Sequence, residues 1–436
     1  MTLTGRFVIL VALGVVPIVL LGGGDAGRAG LVLGLWLVLV LLLGLLDLLL
    51  AGSPRALALE RRLPARVRLG ESVQSELYLT NIGRRALTGR VRDAWQPSAG
   101  AGNNRTTVTI PPRERRRVSL TLTPFRRGER RVDHVTVRSM GPLGLWARQA
   151  TLSAPGRIRV LPPFTSRKHL PSRVARLKEL DGRTSVMVRG QGTEFDSLRE
   201  YVRGDDVRSI DWRATARRGD VVVRTWRPER DRRVVIVVDT GRTSAARIDD
   251  EPRLDTAFEA SLLLAALASP AGDRVDFLAF DRRVRGRVQG ASGAELLSRL
   301  VDTMALIEPE LIEMDWAAVP AQVRAVTSQR ALVVVLTSID AAGASTGLLS
   351  VLPQLTRRHT VVVASVTDPV FAQARADLGT LDAVYRAAAA ERALLDMSRV
   401  SDAIRRLGAD VVTGGPADLP PALADRYIAL KAAGRL

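Results

Sequence analysis

The chain of 436 residues contains no cysteine, only three histidines and only three lysines (Lys168, Lys178 and Lys431). Without cysteine there is no disulfide framework, no thiolate zinc site, no iron–sulfur cluster and no thiol nucleophile. His134, His169 and His359 lie far apart and form no H-E-x-x-H pair, which speaks against zinc hydrolysis and a histidine-based triad. The phosphate-binding run G-x-x-x-x-G-K-[ST] is also missing, so the chain is not itself a P-loop ATPase. Aromatic residues make up 4% of the chain and do not interleave with its basic clusters, which removes the stacking platforms of a single-strand nucleic-acid binder. Arginine supplies 61 of the 64 basic residues, an imbalance that a G+C-rich codon bias explains more simply than guanidinium chemistry does.

With 46% hydrophobic and 25% charged residues, the composition is that of a globular chain of two or three domains. The formal charge of +19 is unevenly placed: residues 1–54 balance, 55–160 carry +15, 161–233 carry +7, and 234–436 carry −3. The basicity therefore adjoins the N-terminal apolar region.

Phe7–Leu21 is apolar apart from Gly14 and Pro17, and Leu31–Leu50 is apolar apart from two glycines and Asp47. Twenty helical residues at about 1.5 Å each match the roughly 30 Å hydrocarbon core, so the two runs read as a transmembrane helical hairpin turning at Gly22–Gly30. A secretory signal peptide is the alternative for the first run, but no small-residue cleavage site follows it and a second apolar run comes at once. Arg6 precedes the hairpin, and Arg55, Arg61, Arg62, Arg66 and Arg68 follow it. The positive-inside rule then places both termini and the large C-terminal region in the cytoplasm, anchored to the inner membrane.

Residues 60–160 carry short alternating stretches at Ala65–Leu69, Val73–Leu79, Thr106–Ile110, Arg117–Leu122 and Val132–Val137, separated by Gly, Pro and Asn clusters. Period-two alternation, as in Val118, Leu120 and Leu122, predicts an antiparallel β-sandwich. The basic clusters Arg113–Arg117 and Arg126–Arg131 fall in this segment, and an inner-leaflet location would draw them to anionic lipid head groups. Nucleic acid is the rival ligand, and the lack of interleaved aromatics speaks against it.

The least generic stretch is Gly190–Arg217, GQGTEFDSLREYVRGDDVRSIDWRATAR. Phe195, Leu198 and Val202 fall at helical spacing with Arg199 between them, which predicts a short amphipathic helix near Glu194 and Tyr201, stopped by Gly204. Asp205 would cap a following turn through Ile210 and Trp212. The carboxylates Glu194, Asp196, Asp205, Asp206 and Asp211 are numerous enough for acid–base or metal chemistry. They are interleaved with Arg199, Arg203, Arg208, Arg213 and Arg217, however, so ion pairing and capping account for them more economically. The segment reads as a partner-docking or structural element rather than a catalytic one.

This run resembles the hallmark of the bacterial "domain of unknown function 58" family. The resemblance extends to the apolar start, to Pro124–Gly128 (P-F-R-R-G) and Gly141–Leu145 (G-P-L-G-L), and to the C-terminal region. It implies a von Willebrand factor A-like domain and partnership with a MoxR-type AAA+ ATPase in assembly or maturation, without an activity of its own.

From Val234 the pattern changes to buried strands alternating with helices: strands at Val234–Val238, Arg274–Phe280, Leu332–Leu336, Thr360–Val366 and Ala409–Val412, helices at Leu254–Leu267, Ala294–Leu306 and Leu423–Ala432. That is a doubly wound α/β domain with a parallel sheet. The first strand ends in Asp239-Thr240-Gly241-Arg242-Thr243-Ser244, at the edge where such sheets bind ligands. This resembles the D-x-S-x-S start of a von Willebrand factor A metal site, with Gly241 in place of the first Ser and Thr243 in place of the second. Asp239 with hydroxyls would suit Mg²⁺ or another divalent cation. The rest of that site is degenerate: no Thr stands out on the next loop, and Leu332–Leu336 runs into Thr337-Ser338-Ile339-Asp340, where Asp340 comes late for the motif.

The expected organisation is therefore 1–52, transmembrane hairpin; 53–163, β-sandwich-like domain; 164–233, signature segment; and 234–436, von Willebrand factor A-like domain. The expected function is a membrane-anchored, non-enzymatic scaffold. The alternatives are a metal-assisted hydrolase using Asp239 and the signature carboxylates, and a binder of anionic membrane or nucleic acid through the basic β domain.

Overall fold

Apolar side chains at nearly every position dictate helix at the start of the chain, and three segments follow one another: Gly5–Ala12, Val15–Leu21 and Ala26–Leu50. The computed structural model describes residues 2–187, 194–227, 232–249, 251–339 and 342–436; Gly190, Gly192 and Asp340 lie outside the described residues, as do the side chains of Glu194, Phe195 and Asp196. The chain forms two units, Met1–Leu161 and Pro162–Leu436.

In the first unit one helical stretch, Ala26–Ala56, is long and apolar enough to cross a membrane. The earlier apolar run is interrupted at Leu13–Gly14, where Gly14 makes room for the Trp36 side chain, whose Nε1 donates to Leu10 O at 3.2 Å. Two sheets follow. Leu57–Arg62, Val73–Asn81 and Arg115–Leu122 form an antiparallel three-stranded sheet. The other runs Thr2–Leu3, Trp146–Leu161, Gly128–Met140, Leu87–Asp93 and Arg105–Ile110 in spatial order, with Arg66–Arg68 added in parallel to Trp146–Leu161. Leu77, Leu79 and Val118 of the smaller sheet pack against Leu87, Val91, Ile110, Val135 and Val137 of the larger, so the apolar faces meet in one core.

Two of these strands show what period-two reading passes over. In Leu87–Asp93 the buried positions are Leu87, Gly89, Val91 and Asp93, and only two of them are apolar. Asp93 is buried because Arg61 meets it through two hydrogen bonds of 2.7 and 2.8 Å, with both side chains within 5% of full burial. The Trp95 indole donates to the same carboxylate at 3.1 Å. Pro155-Gly156 reads as a break, yet Trp146–Leu161 continues through it, because the bare Gly156 leaves space for the Arg61 side chain.

The G-P-L-G-L motif acquires a role here. The backbone N–H groups of Leu143, Leu145 and Trp146 converge on the Asp47 carboxylate at 2.8, 2.7 and 3.1 Å. Gly141 lies so close to Asp47 that a Cβ would collide with it, and Gly144 takes φ +66° to turn the loop. Asp47 is fully buried. The Arg148 Nε donates to Leu48 O at 3.0 Å, and the Trp146 ring lies over Gly44, where a Cβ would stand 2.7 Å away. Such a loop of converging amides is an anion-binding nest, here filled by a side chain of the apolar helix.

In the second unit the six-stranded sheet runs Val284–Val288, Arg274–Phe280, Arg233–Asp239, Leu332–Leu336, Thr360–Val366, Asp410–Gly414. Counted along the chain this is 3-2-1-4-5-6, a doubly wound order. All neighbours are parallel except the edge strand Val284–Val288, which returns antiparallel from Arg274–Phe280. The helix Arg253–Ala268 is buried on every face from Leu254 onward, and Leu419–Ala432 packs against it. Lys431 fastens the latter helix: its Nζ donates to Asp273 Oδ1 at 2.9 Å, and the Tyr427 hydroxyl donates to Asp273 Oδ2 at 2.5 Å.

Replacing Asp47 with Ala leaves three amides without their acceptor, and unpaired buried donors cost about 1–3 kcal/mol each before water compensates. Asp47→Ala is expected to lower the stability of the first unit by roughly 2–4 kcal/mol and to open the 141–146 loop to protease, with Asp47→Asn intermediate. Unchanged melting and protease resistance in detergent would show that the nest is incidental.

Candidate functional site

The signature residues fold differently from their helical spacing. Glu194–Glu200 is a strand paired antiparallel with Val222–Arg227, with Phe195 opposite Trp226 and Arg199 opposite Val223. Eight residues of i, i+3, i+7 pattern are too few to sustain a helix, and a Val-rich partner strand some twenty residues on offers a ladder instead. Gly204, at φ +114°, ends a turn rather than a helix.

Three acids of this hairpin, Asp205, Asp206 and Asp211, are committed to backbone and arginine. Asp205 is not the cap expected of it: it accepts from the Val202 N–H at 2.9 Å and from Arg199 at 2.6 Å. Asp206 caps the turn Val207–Ser209, accepting from the Arg208 N–H at 3.0 Å. Asp211 caps the helix Trp212–Arg218, accepting from the N–H groups of Arg213 and Ala214 at 3.0 Å and from Arg224 Nε at 2.8 Å. The Ala214 amide and then the Arg224 guanidinium hold its carboxyl below the ordinary range. The expected one-for-one ion pairing gives way to two pairs, Arg199–Asp205 and Arg224–Asp211, while Arg203, Arg208, Arg213 and Arg217 make none among the described residues. Tyr201 is half-buried and its N–H donates to Val221 O. Two of the large apolar side chains face outward: Trp212 is 70% exposed and Val207 62%.

Asp239 sits at the carboxyl edge of the sheet, 2% exposed. Its Oδ1 accepts from the Gly241 N–H at 2.8 Å, and its Oδ2 from the hydroxyls of Thr243 at 3.2 Å and Thr337 at 2.7 Å. The Ser244 hydroxyl donates to the Asp239 carbonyl at 2.5 Å. Thr337 was missed in the sequence because an acid was sought at its position; the end of the buried strand Leu332–Leu336 was the signal that could have found it. A Cβ on Gly241 would stand 2.8 Å from Ile312 O, so a Ser in the first hydroxyl position would require that loop to shift.

A small pocket opens beside these groups, lined in part by Thr243, Ser244, Arg253, Thr337 and Ser338, with Arg253 Nη1 donating to Ser338 Oγ at 2.7 Å. The second nearby acid, Asp281, is engaged by Arg285 at 2.6 Å, by Thr240 at 3.0 Å and by two backbone amides. Burial pushes its carboxyl up, but these donors outweigh it and hold it below the ordinary range. One carboxylate, two hydroxyls that already donate to it and an arginine in the neighbouring pocket form a sparse ligand set for a hard cation that takes six or more oxygens. Among the described residues no group of three acidic or imidazole side chains could hold a metal.

Burial pushes the Asp239 carboxyl above the ordinary carboxylate range, against the pull of Thr337, Gly241 and Thr243. A carboxyl raised on folding contributes stability below its unfolded pKa of about 4 and loses it as pH climbs through the raised value. In chelator-treated protein, Asp239→Asn is therefore expected to melt several degrees above the parent at neutral pH, with the gap closing on acidification. A variant that melts lower at neutral pH would overturn this.

The family model described as "Protein of unknown function DUF58" matches residues 197–406. The chain is 26% identical over 185 residues to "Uncharacterized protein Rv1480" of Mycobacterium tuberculosis and equally to "Uncharacterized protein Mb1516" of Mycobacterium bovis. That match covers 42% of this chain and 57% of each relative, so the chain spans little more than half their length. Among solved structures, the CARDB domain of the PF1109 protein from Pyrococcus furiosus is similar at 19% identity, covering 24% of this chain and 86% of that one with a TM-score of 0.18. The complex of Zinc 2-glycoprotein with Prolactin inducible protein from human seminal plasma is similar at 13% identity, covering 23% and 92%, with a TM-score of 0.20. Scores this low carry no argument about fold or function. Residues 197–406, a span that takes in most of the hairpin and the sheet through its fifth strand, are identified by that match as a DUF58 region.

Proposed function

We propose that the protein is a membrane-anchored, non-enzymatic adaptor that presents its α/β unit in the cytoplasm and docks a MoxR-type AAA+ ATPase through the signature hairpin. One observation carries this reading. Asp205, Asp206 and Asp211 are spent on capping and ion pairs, while Trp212, Val207 and several unpaired arginines are left facing solvent. A catalytic segment would free its acids and bury its aromatics; a docking segment does the reverse. Exposed tryptophan beside arginine is the composition of an interface hot spot.

The remaining parts of the reading have their own support. The 3-2-1-4-5-6 order with one antiparallel edge strand supports a von Willebrand factor A-like domain, with Asp239 and Thr243 as the remnant of its metal motif. The apolar stretches Gly5–Leu21 and Ala26–Ala56 support a two-span anchor, and the arginines after it support cytoplasmic placement.

The test is co-purification of an identified AAA+ ATPase with the full chain in detergent. Trp212→Ala and Arg208→Glu are expected to reduce capture at least tenfold with unchanged melting, since a central hot spot is worth about 2 kcal/mol or more. Capture undiminished by both variants would remove the hairpin from the interface. Mg²⁺-dependent hydrolysis abolished by Asp239→Asn would replace the adaptor reading with the hydrolase one.

A further inference from the structure

The two basic clusters of the first unit are not equivalent. In Arg126–Arg131 the side chains of Arg127 and Arg130 are buried, Arg130 donates to Ser98 Oγ at 2.8 Å, and Arg131 pairs with Glu129 at 2.8 Å. This cluster begins the strand Gly128–Met140, whose other end leads into the loop that holds Asp47; thirteen residues at about 3.3 Å put it roughly 40 Å from that loop. In Arg113–Arg117, Arg115, Arg116 and Arg117 each have an acidic partner, in Glu60, Glu114 and Glu76.

A different set of arginines lies where the apolar helix leaves off. Three short loops, 53–56, 82–85 and 111–114, meet around the buried Asn81. Its Nδ2 donates to Arg85 O and Ile110 O, both at 2.9 Å, and its Oδ1 accepts from the Gly83 N–H at 2.9 Å. Its backbone N–H donates to Glu114 O at 2.9 Å and its carbonyl accepts from the Arg113 N–H at 2.8 Å, with Arg113 held at φ +62°. The Ile82 N–H donates to Ala56 O at 2.9 Å, and Gly52, two residues past the helix, lies against the Ala86 backbone. On this rigid rim Arg55, Arg84, Arg85 and Arg113 are all exposed and have no acidic partner among the described residues. Ile82 stands between them, 69% exposed, on a loop held through the Ile82 N–H, the Gly83 N–H and the Arg85 carbonyl.

An exposed β-branched side chain on a fixed loop, ringed by unpaired guanidinium groups and adjoining the end of a membrane-length helix, has the chemistry of an interfacial lipid contact: apolar tip into the acyl boundary, cations onto phosphate. We propose that the rim formed by Arg55, Ile82, Arg84, Arg85 and Arg113 is seated on the anionic surface of the bilayer that holds the helix, with Ile82 inserted at head-group depth. This rests on the reading of Ala26–Leu50 as a membrane anchor.

The absence of cysteine makes the test direct, because one introduced thiol is unique. The full chain carrying Ile82→Cys or, as the distal control, Phe125→Cys is labelled with an environment-sensitive fluorophore. It is reconstituted into vesicles of phosphatidylcholine and phosphatidylglycerol in equal parts, with a lipid-borne quencher. Phe125 is 68% exposed and lies beside Arg126 at the far end of the long strand. The expected result is at least twofold quenching at position 82 and none at 125, with most of the quenching lost on adding Arg84→Glu and Arg85→Glu or on using phosphatidylcholine alone. A chain that floats with the vesicles yet is unquenched at position 82 overturns the rim while leaving the anchor intact. A chain that does not float overturns the anchor and the rim with it. Quenching equal in both lipids overturns the anionic part, and a duplex DNA that shifts the position-82 emission while lipid does not would assign the rim to nucleic acid.

Discussion

The burial of one carboxylate determines how the first unit is joined. Asp47 interrupts an otherwise apolar helix, and a bare charge there would be expensive in lipid or in protein. Three converging amides and two permissive glycines remove that cost, and in doing so fix the helix to the long hairpin Gly128–Leu161. The link between apolar helix and β-sandwich is thus a set of directed hydrogen bonds at defined positions rather than a loose tether. The indole of Trp146 over Gly44 and the Arg148 bond to Leu48 O add contacts on either side of it.

Acidic residues elsewhere follow the same economy. Asp93 is held by Arg61 and Trp95, Asp273 by Lys431 and Tyr427, and Glu259 by the Thr165 hydroxyl and the Ser166 amide. Asp205, Asp206 and Asp211 shape the signature hairpin. Asp239, like Glu259, is met by hydroxyls and an amide rather than by a cation among the described residues, but it sits at the carboxyl edge of the sheet, beside a small pocket.

Much of this could be read before any coordinates. Long apolar strands such as Val234–Val238, Leu332–Leu336 and Thr360–Val366 are unambiguous because nothing but a sheet covered on both faces tolerates them, and the helix at Arg253–Ala268 follows from its length. Most of what resisted reading has one cause: the partner lies elsewhere in the chain. Leu87–Asp93 looks half polar until Arg61 arrives to neutralise Asp93. The Glu194–Glu200 strand looks helical until Val222–Arg227 pairs with it. The G-P-L-G-L loop has no visible purpose until Asp47, some hundred residues earlier, occupies it. Thr337 was hidden in another way, by the expectation of an acid at its place.

The latch of Leu419–Ala432 onto Arg253–Ala268 has a consequence for how the molecule is made. The central strand Arg233–Asp239 emerges early, but the helix it packs beside lacks its main helical neighbour, Leu419–Ala432, until Tyr427 and Lys431 reach Asp273, some hundred and fifty residues later. Since domains close as units during synthesis, the second unit spends that interval with one face of a largely apolar helix lacking its final partner, at a time when the N-terminal apolar segment has already left the ribosome. The nascent chain is most vulnerable to aggregation and most dependent on chaperones in that window, and any variant that weakens the Lys431–Asp273 pair would lengthen it.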